Sequence, residues 1–488
     1  MRLYNTLSRR EEQFRPSEGN VVRMYSCGLT VYGRGHIGNF RTFVCVDVLR
    51  RTLEHQCGYE VRQVMNFTDV DDRTIAGAQK AGMPLREYTD RFIAAFLEDS
   101  DALGLEPVEE RPRATDEANL RAMNDLVVAL ERNGHTYRSE GSIYYKIATF
   151  PSYGNLARLD EAGIKPGARI DSDSYEKEDA RDFALWKATK PGEPTWDYGI
   201  GPGRPGWHLE CSAMALRLLG NPPMDIHAGG VDLIFPHHSN EIAQSEGATG
   251  KQFARFWFHV EHLILEEEKM SKSLGNVFTV NDVVERGFRP SALRYLLLSS
   301  HYRKQLKFSW ASLAQAEEAV RRLSDFLARL DTVRRIVPHA VEQDFSPASG
   351  DAGPASGPTI VERVNEARAA FGRMLEEDLN TAGALGVLFD LVRSLNTAID
   401  RGEVGVPDVA AIRDAFDAFD KVLGVMALRR AEDRKTGIAA EEIERLIEER
   451  KAARRRRDFA AADRIRDELA AAGVLLEDSP TGTRWKRK

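Results

Sequence analysis

Apolar positions in the first part of the chain fall into short runs and helical stretches by turns. Val21-Val22-Arg23-Met24-Tyr25-Ser26-Cys27 and Glu60 to Phe67 are β-branched, largely apolar segments that read as buried strands. Arg41 to His55 and Leu85 to Leu103 carry apolar residues at helical spacing. Further along, Cys211 to Leu219 reads as a helix, and Met224 to His227 and Phe256 to Leu265 as strands. This alternation predicts an α/β fold, a Rossmann-like doubly wound parallel sheet. Residues 118–204 interrupt it, beginning with a helix and becoming rich in Gly, Pro, Asp and Tyr, which reads as an insertion. From Ala311 the pattern turns almost wholly helical, predicting a bundle. Ser346 to Pro358, mostly Pro, Ala, Ser and Gly, reads as a flexible connection within it, and a charged segment after Ala431 leads to a small C-terminal unit.

Length and charge change this picture little. A chain of 488 residues exceeds one core and implies roughly two to four domains. Its net charge of −7 gives no global sign of nucleic-acid binding, so such contact must come from local patches. The cysteines at 27, 45, 57 and 211 have no spacing that marks a disulfide framework, which fits a reduced, cytoplasmic setting. The N-terminus shows no signal-peptide pattern, and no apolar run approaches the ~20 residues of a membrane span.

Two segments read as halves of one nucleotide site. Gly35-His36-Ile37-Gly38-Asn39 lies between the first strand and the first helix. A helix start there offers free N–H groups and a positive dipole end to phosphate, and His36 and Asn39 add donors. Far downstream, Lys269-Met270-Ser271-Lys272-Ser273 is a compact cationic loop followed by Leu274-Gly275-Asn276. Taken singly, His36 is an ordinary loop histidine and the lysines are surface charge. Together, in one α/β chain, they can enclose a triphosphate, with Lys269 and Lys272 stabilising charge that grows during displacement.

A second set of residues has metal-ligand chemistry. Cys27 falls at the end of the first strand, where open α/β sheets bind ligands. Cys211 lies in Gly206-Trp207-His208-Leu209-Glu210-Cys211-Ser212. In Phe235-Pro236-His237-His238-Ser239-Asn240-Glu241, Pro236 suits a helix start, so His237 and Glu241 should share one face while His238 and Asn240 point elsewhere. Spacing alone leaves this open. Buried free cysteines are commonly small hydrophobes, and His237 and Glu241 can be a surface pair. Thr68 and Asp69 follow the second strand, and His227, Gly229, Gly230 and Asp232 a later one. Thr68 can equally be a helix cap and Trp207 a core residue, while Cys45 and Cys57 read as structural.

The paired segments around His36 and Lys269 resemble the nucleotide motifs of class I aminoacyl-tRNA synthetases, with Asn39 where the class pattern has a second histidine. Met24 to Tyr32, Gly203 to Ser212 and His227 to Glu241 resemble the cysteinyl-tRNA synthetase family in particular. The resemblance spans Arg2 to Lys488 and is poorest after Ser346. It implies one zinc ion held by Cys27, Cys211, His237 and Glu241. It places Thr68, Trp207, His227 and Asp232, with Cys27, in the cysteine and ribose pockets. ATP, with Mg2+, falls to His36, Gly38, Asn39, Gly230, Asp232, Lys269 and Lys272. His36, Lys269 and Lys272 become the catalytic groups of a ligase that adenylates L-cysteine and transfers it to tRNA(Cys).

The implied organisation is a catalytic domain in two parts, 1–117 and 205–265, around the insertion 118–204. A stem-contact region with the lysine loop (266–310), a helical bundle (311–430) and an anticodon-recognition unit (431–488) follow. The arginine-rich helix at Arg450 to Arg457 is partly offset by Glu444, Glu448 and Glu449. The basic tail around Trp485 suits stacking on unpaired bases, so Asp478 and Trp485 are the expected anticodon contacts. A monomer, with no membrane association, is the family expectation. Two other readings compete: a ligase joining cysteine to a small amine, as in mycothiol synthesis, and a non-catalytic RNA-binding paralogue. The first has no need of the C-terminal unit, and the second no need of His36, both loop lysines and four ligands.

Overall fold

The computed structural model describes residues 1–158, 182–265, 277–336, 358–436, 440–479 and 482–487. The lysine loop, with Lys269 and Lys272, and most of the Ser346 to Pro358 connection lie outside the described residues.

The first apolar run forms strand β1 (Val21–Ser26), next to the centre of a four-stranded parallel sheet. Its neighbours are β2 (Glu60–Met65) on one side and β3 (Met224–Gly230) on the other, and β4 (Ala254–Val260) lies beyond β3. Alternate residues of each strand enter different cores. Val22, Met24, Phe256 and Phe258 join the core that holds helix α1 (Ile37–Arg51) and the bundle. Tyr25 and Trp257 face the core built by α2 (Trp207–Leu219) and α3 (Ser239–Thr249). Helices therefore cover both faces, which explains why these strands read as continuous apolar runs. The doubly wound parallel sheet expected from the sequence is present.

The sequence reads Phe256 to Leu265 as one strand, but the structure splits it. β4 ends at Val260, and Leu263–Leu265 pairs instead with Leu306–Phe308. At the break, the buried Arg41 guanidinium takes the Glu261 carbonyl at 2.9 Å, and Glu261 N–H donates to the Tyr302 carbonyl at 2.8 Å. The expected helix at Arg41 to His55 starts earlier, at Ile37, and its end loosens into a wider turn at Thr52–Gln56.

The interruption after residue 117 contains the helix Glu117–Arg132 and a separate antiparallel sheet of Thr136–Ser139, Ser142–Tyr145, Phe183–Ala188 and Gly203–Pro205. Its last strand runs straight into α2 through Gly206, where a Cβ would stand 2.0 Å from the Ala184 carbonyl oxygen. Long helices follow from Trp310. Thr381–Asp400 is, among the described residues, the one helix long and apolar enough for a membrane span. Instead it turns Leu385, Leu388, Leu391 and Leu395 into the bundle core. The C-terminal unit has its own small core of Ile443, Leu446, Ile447, Leu469 and Val474. Its tail, expected as a basic extension, is an antiparallel hairpin of Val474–Ser479 and Gly482–Arg487.

Candidate active site and metal centre

Parallel strands end together, and the residues just past them converge. Cys27 follows β1 and donates its backbone N–H to the Ala228 carbonyl at 3.1 Å. Gly28 N–H donates to Asn66 Oδ1 at 3.0 Å. No other residue fits at 28, because a Cβ there would be 1.7 Å from the Asn66 backbone oxygen. From the other side, α2 delivers Cys211, the turn before α3 delivers His237, and the first turn of α3 delivers Glu241. Ligand atoms of Cys27, Cys211, His237 and Glu241 all lie within 4.8 Å of one another, and all four residues are buried.

The donor set fits zinc. The Cys27 and Cys211 sulfurs are 3.9 Å apart, far too long for a disulfide. Two thiolates on one tetrahedral zinc, with bonds of about 2.3 Å, would stand about 3.8 Å apart. His237 Nε2 is 3.0 Å from Glu241 Oε1, and His237 Nδ1 is 2.9 Å from His208 Nδ1. That second contact is the outer support expected of a metal-ligating imidazole. A second grouping, Cys27, His227, His238 and Glu241, is also close enough. It fits less well, since His227 Nδ1 is buried without a partner.

The four side chains are strongly coupled electrostatically. Burial pushes the Cys27 thiol well up, and sharing a hydrogen bond with Cys211 pushes it further. Burial also opposes ionisation of Cys211, but the Cys27 hydrogen bond and the His237 charge bring it down to about 6. Burial works against the Glu241 carboxylate, yet His227 and His237 hold it near 2. His237 is raised to about 10, its burial outweighed by Glu241 and Cys211.

His238 departs from expectation. It does not point away: its Nε2 is 3.4 Å from Cys27 Sγ. Regular helix begins only at Ser239, and Phe235 has extended backbone (φ −140°, ψ 132°), so His237 and Glu241 meet as expected but the helical face rule fails at 238. His238 Nδ1 lies 2.8 Å from His259 Nε2, and His259 Nδ1 lies 2.8 Å from Thr6 Oγ1. Burial drives His238 far below the usual histidine range and His259 to about 3, so both rings are neutral. Asn240 does point elsewhere, accepting from the Tyr153 hydroxyl at 2.6 Å.

Of the residues expected in the substrate pocket, His227 and Trp207 touch this cluster. His227, on β3, is 2.9 Å from Glu241 Oε2 and stacks on Trp257. Trp207, half-buried, stacks on His237 with ring centres 4.4 Å apart. Thr68 is not a helix cap, since Asp71 caps the helix that follows. The Thr68 hydroxyl instead accepts from Asn66 Nδ2 at 3.3 Å. Glu210 is the group that sequence reasoning passed over. It is fully buried with both carboxylate oxygens unpartnered. Burial and Cys211 raise it well above the carboxylate range, while the Thr68 hydroxyl acts the other way.

At the nucleotide side, His36 is the N-cap of α1 and Gly38 lies in its first turn. The structure adds a capping role for Asn39. Its side-chain oxygen accepts from His36 N–H at 3.0 Å, and its own N–H donates to His36 Nδ1 at 3.1 Å. Asn39 is a capping residue first, with only its amide N–H groups left to reach phosphate. A Cβ on Gly230 would lie 2.4 Å from Asp232 Oδ1 and 3.7 Å from Thr42 Oγ1, which places this turn against α1. Phe278, just after the undescribed lysine loop, accepts from Ile37 N–H at 2.9 Å. The segment that begins at 277 is therefore tied to the start of α1. In the C-terminal hairpin, register pairs Leu476 with Trp485 and Asp478 with Thr483.

Residues 13–318 match the family model for tRNA synthetases class I (C) catalytic domain. Residues 370–428 match a DALR domain, and 439–485 a cysteinyl-tRNA ligase anticodon binding domain. The chain is 48% identical to a cysteine–tRNA ligase of Solibacter usitatus over 491 residues, covering all of both chains. It is 46% identical to one of Koribacter versatilis, again over the full length of both. This chain belongs to the cysteine–tRNA ligase family. Among solved structures, it resembles Mycobacterium tuberculosis methionyl-tRNA synthetase in complex with methionyl-adenylate, with a TM-score of 0.59 and 16% identity over 84% of this chain and 90% of that one. It also resembles Agrobacterium radiobacter LeuRS in a ternary complex, with a TM-score of 0.59, 13% identity and coverage of 85% and 84%. Those likenesses concern the fold. Family membership sits with a C-terminal unit that a ligase for small amines would not need.

Proposed function

We propose that this chain activates L-cysteine with ATP, forming cysteinyl-adenylate and pyrophosphate, and passes the cysteinyl group to the 3′ end of tRNA(Cys). The observation that carries this reading is the convergence of Cys27, Cys211, His237 and Glu241 beside a class I nucleotide motif.

The pocket must separate cysteine from serine, which differ by sulfur for oxygen. Size discriminates poorly between such near-isosteres. A zinc ion held by Cys27, Cys211, His237 and Glu241 would supply a soft Lewis acid that favours sulfur over a hydroxyl. His227 keeps Glu241 oriented through the bond at 2.9 Å, and Trp207 covers His237. Thr68 stands just past the end of the neighbouring strand β2, where it can meet the amino-acid backbone. This division makes an editing domain unnecessary.

For adenylation, the cysteine carboxylate attacks the α-phosphate of ATP in line and pyrophosphate leaves. Such displacement needs positioning and charge stabilisation more than a protein nucleophile. The start of α1 offers free N–H groups to the phosphates. His36 accepts at Nδ1, so its proton sits on Nε2, the nitrogen that would donate to an oxyanion. Lys269 and Lys272 add positive charge, and Mg2+ accompanies ATP. Gly230 and Asp232 bind the nucleoside side. The ribose hydroxyl of the tRNA terminus then attacks the activated carbonyl.

The C-terminal unit, 431–488, recognises the anticodon, with Asp478 and Trp485 as contacts. We place the enzyme in the cytoplasm as a monomer, where Cys27 and Cys211 stay reduced. The test is cysteine-dependent ATP–pyrophosphate exchange together with transfer of labelled cysteine to tRNA. Exchange without transfer to tRNA, but with transfer to an amino sugar, would favour the small-amine ligase instead.

A further inference from the structure

The segment that leads into His36 has little stiffness of its own. Val31 to Gly35 belongs to no helix or strand, and Gly33 and Gly35 flank Arg34. Glycine gives up more backbone freedom on ordering than other residues, so outside contacts must fix such a segment.

One helix, Leu85–Ala102, supplies them. Near its start, the Tyr88 hydroxyl donates to the Tyr32 carbonyl at 2.9 Å. Near its end, Asp99 takes the Arg34 guanidinium on both oxygens, Nε to Oδ2 at 2.9 Å and Nη2 to Oδ1 at 2.6 Å. Glu98 Oε2 accepts from the same Nη2 at 2.8 Å. Residues 88 and 99 stand about three turns apart on one face of the helix. The helix is itself fixed against α1. Phe96 stacks on Phe40 with ring centres 5.7 Å apart and meets Phe43 edge-on at 5.1 Å. A Cβ on Gly35 would come within 3.1 Å of the Phe40 ring.

The Arg34 contact does more than add packing. The Asp99 side chain is 1% exposed and that of Arg34 24%. Among the described residues, Arg34 is the one cation on Asp99. A buried carboxylate stripped of its partner is costly, so the pair keeps its geometry. A planar fork on a carboxylate also fixes orientation, which a lysine ammonium does not. Arg34 lies two residues before His36, which then caps α1 with Asn39.

We propose that Arg34 is a positioning residue for adenylation: its two bonds to Asp99 set where His36 stands towards the nucleotide. The proposal rests on the adenylation reading above. Its competitor is an ion pair that only stabilises the fold.

The test is cysteine-dependent ATP–pyrophosphate exchange by the full-length protein, with thermal melting recorded on the same samples. Arg34→Lys keeps the charge and removes the fork. It should lower kcat about ten- to a hundredfold, as a misplaced group does, with KM for cysteine unchanged. In protein that already carries His36→Ala, Arg34→Lys should cost no further rate, because the two residues act as one unit. A wild-type kcat, a raised KM with kcat kept, or a full additional loss in the His36→Ala background would each overturn the proposal. Asp99→Asn guards against an Arg34 variant that fails to fold and must show the same pattern; failure of both to fold would make the pair structural and overturn it too. Should the wild-type chain show no cysteine-dependent exchange, the underlying reading falls; normal wild-type exchange with unaffected variants removes the proposal alone.

Discussion

His36 and Asn39 cap helix α1 reciprocally, each backbone N–H donating to the other's side chain, at 3.0 Å and 3.1 Å. The pair fixes which His36 nitrogen carries the proton. It also explains how asparagine serves where the class pattern has histidine. Replacing Asn39 with Ala should cost about 1 kcal/mol of stability, as cap removal does. It should also lower the rate of ATP–pyrophosphate exchange at saturating cysteine. Chemical denaturation and exchange kinetics on the same preparation check both effects. An unchanged exchange rate would show that the cap does not set His36 for adenylation.

Gly28 stands where a side chain has no room, with the Asn66 backbone oxygen 1.7 Å from any Cβ. Gly28→Ala must push the ends of β1 and β2 apart, displacing both Cys27 and Thr68. Loss of bound zinc and of cysteine activation is expected, with far-ultraviolet dichroism close to wild type. Metal analysis of the purified variant is the check.

Asp47 ties α1 to the helix Pro290–Leu298 through Arg294, and to its own turn through Arg51 at 2.8 Å. Burial opposes the Asp47 charge, but the two guanidinium groups prevail and hold it below the usual carboxylate range. Its folded value is thus lower than the unfolded value of about 3.9. The stability it contributes is complete above that unfolded value and is lost as pH falls through the folded one. Asp47→Asn should cost about 3–5 kcal/mol near neutrality, as for a broken buried pair. The gap between variant and wild type should narrow below about pH 4. A gap that stays constant with pH would contradict this.

Trp485 gives a prediction that separates the two halves of the reaction. Trp485→Ala should reduce tRNA charging by about five- to a hundredfold, the range for losing one base stack. Cysteine-dependent ATP–pyrophosphate exchange should not change. Equal charging by variant and wild type would remove Trp485 from the anticodon contacts.

The parallel sheet was legible because its strands are buried on both faces, so Val21 to Cys27 and Glu60 to Phe67 stand out as apolar runs. Boundaries were less legible where tertiary contacts decide them. Nothing local in Phe256 to Leu265 announces that Arg41 will take the Glu261 carbonyl and end the strand. The four proposed ligands were legible through resemblance, whereas spacing alone could not join Cys27 to Cys211 across 184 residues. His238 was misplaced because the helical face rule was applied one turn too early. Glu210 was hidden for a different reason: a glutamate in a helix looks solvated, and only its burial and lack of partners reveal otherwise. The tail hairpin escaped notice because its basic residues mask a strand pattern.

The central claim is that a metal at Cys27, Cys211, His237 and Glu241 chooses cysteine. The direct test is ATP–pyrophosphate exchange with cysteine and with serine, on zinc-loaded protein and on protein stripped by chelation. The account predicts a strong preference for cysteine in the loaded enzyme that collapses on stripping and returns when zinc is restored. A stripped enzyme that still prefers cysteine over serine to the same degree would contradict it.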